Sequence, residues 1–442
     1  MSFFLPLRLD HERMKARGQA EAEGEAKREV SLMAASLQGS EIIQLAGEVK
    51  ALIAGGESVL NYTIGDFDPS IFPIPQALLN AVIEAYSSGH TNYPSSDGMS
   101  VLRKAIAAYI STKMNLEYPA DHFLVAGGGR PLIYAFYQAV LDPDEKVIFP
   151  VPSWNNNHYT HLAGGQAVAV QSHAENMFMP TAADLAPHIE AAGALALCSP
   201  LNPTGTIFRK EDLKDICQLV LDENKRRRGK PLYVLYDQIY WQLTFGESRH
   251  WDPVSVMPEM RPYTVYIDGL SKAYAATGVR VGWSFGPAAV MAKMRSILGH
   301  LGAWAPKPEQ LAAAKFLSDA EANAAFLTEI REKLSSRLRS FYNGFKALRD
   351  EGYPVNAIVP QAAMYLTVKI DLAGSGKGGD KLLSQKDVSS FLLRKAGVAL
   401  VPFGAFGAEA ESPWYRLSVG TCHEDDIALV MERLKGAMQS LN

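Results

Sequence analysis

Cysteine is scarce: Cys198, Cys217 and Cys422 are the only three in 442 residues, at unrelated spacings. An odd, unpatterned set excludes a disulfide-built secreted scaffold and contains no zinc motif. It suits a reducing compartment, here the cytoplasm. Long hydrophobic runs are also missing, and none reaches the roughly 20 residues that a membrane-spanning helix requires. The apolar start at residues 3–7 is too short for a signal-peptide core, and acidic residues follow at once. Nor does one sign of charge prevail, because 43 Lys and Arg stand against 47 Asp and Glu for a net −4. That balance gives no general attraction for nucleic acid or an anionic membrane. The first strand–helix turn lacks G-x-G-x-x-G, which argues against a nucleotide-dependent oxidoreductase.

What is present is an ordinary globular composition, 48% hydrophobic and 20% charged, on a chain long enough for two domains. Between about residues 75 and 320, short apolar runs alternate with helical patterns. HFLVAGGG (122–129), EKVIFPVPSW (145–154), GALALCSPLNPTG (193–205), PLYVLYDQIY (231–240) and YTVYIDGLSK (263–272) each begin apolar and stop at a breaker or polar residue. Continuous apolar strands between helices predict an α/β fold with a mostly parallel central sheet flanked by helices. MSVLRKAIAAYISTKM (99–114) and KEDLKDICQLVLDENKRR (210–227) carry the apolar stripe of such helices.

Residues 320–350 predict a long amphipathic helix that bridges to a second, smaller α+β domain with strands near 364–371 and 415–420. The expected division is a large domain over 75–320 and a small one over 321–442. Residues 41–74 are expected to pack with the small domain, and residues 1–40 to form an N-terminal arm. Within that arm, 10–30 is rich in Glu, Lys, Arg and Ala, as in a solvated helix or frayed segment. AGSGKGGDK (373–381) is a flexible loop by composition.

Ligands of open parallel sheets bind at the carboxyl ends of the strands. Here those ends carry Gly127–Arg130, Trp154, Asn202, Asp237 and Lys272, which predicts one shared crevice. Lys272 sits in an apolar run, and a desolvated lysine loses its proton readily and can form a Schiff base with an aldehyde. A lysine salt-bridged at a sheet edge is the alternative.

Ser271-Lys272, followed by Gly278 and Arg280, resembles the lysine segment of class I/II aminotransferases, fold type I enzymes that use pyridoxal 5′-phosphate (PLP). SPLNPTGT (199–206) and YDQIYWQLTF (236–245) resemble that family's Asn-Pro-x-Gly and Asp-x-x-Tyr segments. NYPSSDGMSVLRKAIAAY (92–109) and YRLSVGT (415–421) match two further landmarks, and the likeness runs from about residue 40 to the C-terminus.

The resemblance implies a role for each matched residue. Lys272 would hold the cofactor aldehyde and then move a proton between the substrate α-carbon and the cofactor. Asp237 would keep the pyridine nitrogen protonated, while Tyr240 and Asn202 would hydrogen-bond the ring's phenolic oxygen. Trp154 would stack on one face of the ring and Ile239 close the other. Gly129, Arg130 and Arg280 would grip the phosphate. Tyr93 would reach the phosphate of a neighbouring subunit, implying a homodimer with shared sites. Arg416 would bind the substrate α-carboxylate, with the backbone of Gly65 close by. One departure stands out: many relatives have a phosphate-contacting serine where this chain has Gly269, leaving Ser271 as a candidate to compensate.

Arg130 matches a lysine that binds the distal carboxylate in one subgroup of aspartate aminotransferases. That favours ping-pong transfer from aspartate to 2-oxoglutarate. Aromatic residues at the expected entrance, Tyr62, Phe67, Trp304 and Phe406, would suit an aromatic or prephenate-type substrate instead. His300 and Lys307 are further candidate ligands. An alanine-type aminotransferase, a PLP-dependent β-lyase or a decarboxylase also stays open, because the same electron sink serves each. A DNA-binding regulator of this fold is disfavoured by a short, acidic N-terminus.

Overall fold

The computed structural model describes residues 29–37, 39, 41–376 and 381–441. Residues 1–28, 38 and 40 of the arm expected over 1–40, and residues 377–380 of the glycine-rich loop, lie outside the described residues. The chain divides into two units, Met1–Gln38 and Gly39–Asn442. The described part of the first is a short helix, Leu32–Ser36, whose N-cap Ser31 accepts from the Ala34 N–H.

Among its described residues the second unit contains thirteen strands. In chain order they are β1 Leu60–Asn61, β2 Phe123–Ala126, β3 Lys146–Val151, β4 Gln166–Gln171, β5 Ala192–Cys198, β6 Tyr233–Asp237, β7 Thr264–Gly269, β8 Gly282–Phe285, β9 Val355–Ala357, β10 Tyr365–Ile370, β11 Val398–Ala399, β12 Val401–Pro402 and β13 Trp414–Ser418. Seven of them form one sheet in the order β2-β8-β7-β6-β5-β3-β4. Neighbours among β3–β7 pair in parallel, whereas β8 runs antiparallel to both β7 and β2.

Alternation of side chains along a strand places successive residues on opposite faces. Leu195, Leu197, Val234 and Tyr236 pack on one face with the helices Ser100–Met114, Lys210–Arg226 and Lys307–Leu317. Ala194, Ala196, Leu235 and Ile267 pack on the other with Gly129–Val140 and Ala288–Leu301. Both faces are thus dry, as near-continuous apolar strands require.

A second sheet, β12-β13-β10-β9, is antiparallel throughout, and β1 pairs in parallel with β11. The two cores share one helix, Ala320–Asp350, of 31 residues and about 46 Å. Asp319 caps it by accepting from the Ala322 N–H at 2.9 Å. Leu327 joins the core of the large sheet, and Ile330, Leu334, Leu338, Phe341, Phe345 and Leu348 join the core of the small one. Spacing of three and four residues keeps these side chains on a single stripe. No helix among the described residues is long and apolar enough to cross a membrane.

Candidate active site

The expected crevice exists: a cavity of about 620 Å³ is lined by Gly129, Arg130, Trp154, Asn202, Asp237 and Lys272. Lys272 lies on the short helix Leu270–Ala273 that follows β7. Its Nζ donates to the Gly65 carbonyl at 2.7 Å. Removal from water pulls its pKa down to about 8; the charge of Asp66 opposes that shift, and Arg416, Arg130 and Arg280 reinforce it. Asp237 ends β6 and accepts from the Ile239 N–H at 3.1 Å. Burial pushes its carboxyl up to about 6, against the pull of that N–H and of Lys272. An acid raised and an amine lowered in one cavity is the signature of a proton-handling site.

Arg416, in the middle of β13, is only 2% exposed. Its Nη1 donates to Asn202 Oδ1 at 3.0 Å and its Nη2 to the Thr63 carbonyl at 2.6 Å. The guanidinium lies 4.8 Å from the Tyr365 ring centre and 5.0 Å from that of Phe406. Its Nε has no partner, and no carboxylate among the described residues pairs with it. A buried cation is costly without a counter-charge, so the site is shaped for an incoming anion. Tyr240 and Tyr365 share a hydrogen bond of 2.7 Å between their hydroxyls. A Cβ on Gly65 would stand 3.0 Å from the Tyr365 hydroxyl and 3.6 Å from Arg416 Nη1, so glycine keeps that approach open.

At the other end, the Gly127–Gly129 turn opens the helix Gly129–Val140. Gly128 has φ +98°, and a Cβ there would fall 2.1 Å from Arg280 Nη2. Only glycine fits both demands. Arg280 is fixed by bonds from Nη2 to the Gly127 carbonyl, 2.8 Å, and from Nη1 to the Thr277 carbonyl, 2.7 Å. A fixed guanidinium beside a helix N-terminus favours a phosphate-sized anion. Arg130 places its guanidinium 5.5 Å from the Trp154 ring centre. Ile133, Leu235, Ile239 and Ile267 supply apolar wall.

The Gly269 departure has a steric cause. A Cβ there would lie 2.9 Å from both the Gly282 Cα and the Val281 carbonyl. Gly269→Ser should therefore lower stability by about 1–3 kcal/mol in a urea or thermal melt, the cost of overpacking; an unchanged midpoint would show that β7 and β8 can separate there. Ser271 is buried and lines the cavity, the nearest hydroxyl to that position in sequence.

Other expected residues lie elsewhere. Tyr93 is 82% exposed, edge-on to Trp304 at 5.4 Å, and does not line this chain's cavity. Tyr62 packs against Phe341 in the small-sheet core, and Phe67 packs against Phe72, so neither forms an aromatic entrance. Phe406 is buried beside Arg416. His300 is exposed near the end of its helix, and Lys307 Nζ is bound to Asn92 Oδ1 at 2.6 Å. Neither lines the cavity. Conversely, Ile42, Asp66, Cys198 and Tyr365 do line it without having been named as site residues from the sequence.

Comparison with known proteins agrees with this arrangement. The family model "Aminotransferase class I and II" matches residues 57–434. The aspartate aminotransferase of Geobacillus stearothermophilus is 30% identical over 408 residues, covering 92% of this chain and 98% of that protein. A probable aspartate/prephenate aminotransferase of Rhizobium leguminosarum bv. phaseoli is 29% identical over 389 residues, covering 87% and 92%. The crystal structure of the aspartate aminotransferase from Rhizobium meliloti superposes with a TM-score of 0.86 at 27% identity, covering 94% of this chain and 100% of that one. With lysine, acid and arginine gathered in a single crevice, and with a family match spanning most of its length, the chain belongs to the class I and II aminotransferases.

Proposed function

We propose that the protein is a PLP-dependent aminotransferase whose amino donor is L-aspartate and whose acceptor is 2-oxoglutarate. The observation that carries this reading is Arg416: a buried guanidinium without a carboxylate, facing the cavity that also holds Lys272 and Asp237. The residues present fit the cofactor. Apolar wall and Trp154 suit a flat ring, Asp237 suits its pyridine nitrogen, and the Gly127–Gly129 turn with Arg280 suits its phosphate. The bound cofactor supplies an aldehyde for the amino group and a protonated ring that draws negative charge from the substrate α-carbon.

The chain's own groups do the rest. Asp237 would hold a proton on the ring nitrogen. Tyr240 and Asn202 would hydrogen-bond the ring's oxygen, and Trp154 and Ile239 would pack on its two faces. Arg416 fixes the α-carboxylate with the N–H groups that Asn202 and Thr63 leave free. Lys272, neutral in part near pH 8, would take the proton from the substrate α-carbon and hold it for return on the far side of the amino nitrogen. Gly65, flat beside Arg416, lets the substrate approach.

Arg130 supports the choice of aspartate, since it lies in the cavity with no carboxylate partner among the described residues. The aromatic alternative loses support because Tyr62 and Phe67 are core residues. A panel of amino donors and 2-oxo acceptors tests the reading, with glutamate and oxaloacetate as the expected products. Arg130→Ala should raise the KM for aspartate about tenfold or more and that for alanine or phenylalanine by under about threefold. Equal losses for all three would leave Arg130 to the phosphate alone.

Three further elements belong to the same proposal. Exposed Tyr93, off its own cavity, supports a homodimer with shared sites. The seven-stranded and four-stranded sheets support a large domain over 75–320 and a small one over 321–442, the latter joined by 41–74 through β1 and β11. The free thiols Cys198, Cys217 and Cys422 support a cytoplasmic location.

A further inference from the structure

Asp66 has no part in the roles above, yet its carboxylate lines the cavity beside Lys272. The two segments are stitched twice. Lys272 Nζ donates to the Gly65 carbonyl at 2.7 Å, and Thr277 Oγ1 donates to Asp66 Oδ1 at 2.7 Å. The Phe67 N–H also donates to Asp66 Oδ1, at 2.8 Å. No bond from the described residues reaches Oδ2, so this oxygen stays available to a nearby cation. The turn is anchored from behind: the Asp68 N–H donates to the Gly420 carbonyl at 2.9 Å, and a Cβ on Gly420 would meet the Asp66 carbonyl at 2.1 Å.

The charges around Lys272 divide by sign. Arg130, Arg280 and Arg416 disfavour its ammonium form, whereas Asp66 favours it and stands first among the charged groups acting on it. Asp237, in the same cavity, also attracts it. Cys198, Tyr240 and Tyr365 also line the site and are kept neutral by burial.

We propose that Asp66 and Thr277 form a clasp that parks the ammonium of Lys272 on the Gly65 carbonyl, making Asp66 the positioning residue that governs when the cofactor can be loaded. This rests on the reading of Lys272 as the cofactor lysine. Only the neutral amine carries a lone pair. Its proton must pass to solvent before nitrogen adds to the aldehyde carbon and the aldehyde oxygen departs as water. A clasp that favours the ammonium delays that step at low pH and leaves it alone at high pH.

The test measures the rate at which PLP attaches to cofactor-free full-length protein between pH 6 and 10. Visible absorbance gives the rate, and borohydride fixation with peptide mapping gives the site. The rate in the wild-type protein should rise with pH. Asp66→Asn should shift that rise to lower pH, giving about three- to tenfold faster loading at pH 7 and an unchanged plateau. Asp66→Glu should restore the wild-type profile. Thr277→Val, which keeps the charge and loses the bridging hydroxyl, should shift it in the same direction by less, and Thr277→Ser should not shift it. A profile scaled down at every pH with no displacement would overturn the clasp and leave a structural role only. Should Asp66→Asn fail to fold, the Thr277 pair decides by the same criterion. Wild-type protein that attaches PLP elsewhere than Lys272 would instead overturn the underlying assignment.

Discussion

Lys272→Ala should lower turnover by about 10⁴-fold or more while leaving the fold intact, and borohydride should no longer fix the cofactor to the 270–280 peptide. On the proposed reading the lysine performs two tasks from a single nitrogen, which sets the size of the effect: it would anchor the aldehyde and carry the proton on and off the α-carbon. Among the described residues no second amine lines the cavity, and its other cations are the guanidiniums Arg130, Arg280 and Arg416. A guanidinium makes a poor base. Folding should be spared because, among the described residues, Nζ makes one hydrogen bond, to the Gly65 carbonyl, and its removal leaves no buried charge behind. Fixation at another lysine in the variant, or residual turnover within about tenfold of wild type, would remove Lys272 from the chemistry.

Asp237→Asn should act in opposite directions on activity and stability. Turnover should fall by about 10³-fold, because a neutral amide no longer keeps a proton on the ring nitrogen when the charge on the α-carbon develops. Stability of the cofactor-free chain should nevertheless rise by about 1–2 kcal/mol at pH 7–8. The carboxyl's value is about 6 in the fold against an ordinary 3.8, so between those limits the unfolded chain gives up its proton first. Stability present below pH 4 is therefore lost as pH rises through 6. Two pH units correspond to about 3 kcal/mol, reduced here for partial exposure and for the lost attraction to Lys272. Urea midpoints at pH 4 and pH 8 check it. A gain equal at both would point to packing, and no gain at pH 8 would mean the acid costs the fold nothing.

Much of this was legible in the chain. The strands β2, β3, β5, β6 and β7 are short apolar runs stopped by breakers, and their polar termini supplied Arg130, Trp154, Asn202, Asp237 and Lys272. The strand β4 was not read, because it lies on the sheet edge with three of its six residues exposed and so has no continuous apolar signature. β8 is short and antiparallel, hidden inside the segment that carries Arg280. Tyr365 escaped because a tyrosine in an apolar strand looks like core until its partner, Tyr240, is known to come from 125 residues away. Tyr62 and Phe67 misled for the converse reason: they sit near Gly65 in the chain, yet their rings turn into the small-sheet core. Asp66, between Gly65 and Phe67, looked like ordinary turn chemistry, and only the Thr277 contact sets it apart.

Arg416 grows from the antiparallel sheet and Lys272 from the end of a strand in the mostly parallel one, with the helix of residues 320–350 contributing to both cores. On the proposed reading, the grip on the α-carboxylate and the reactive amine are therefore carried by different sheets. A chain whose C-terminal sheet had come loose would still capture the vitamin at its lysine, but it would have lost the means to tell an amino acid from a simple amine.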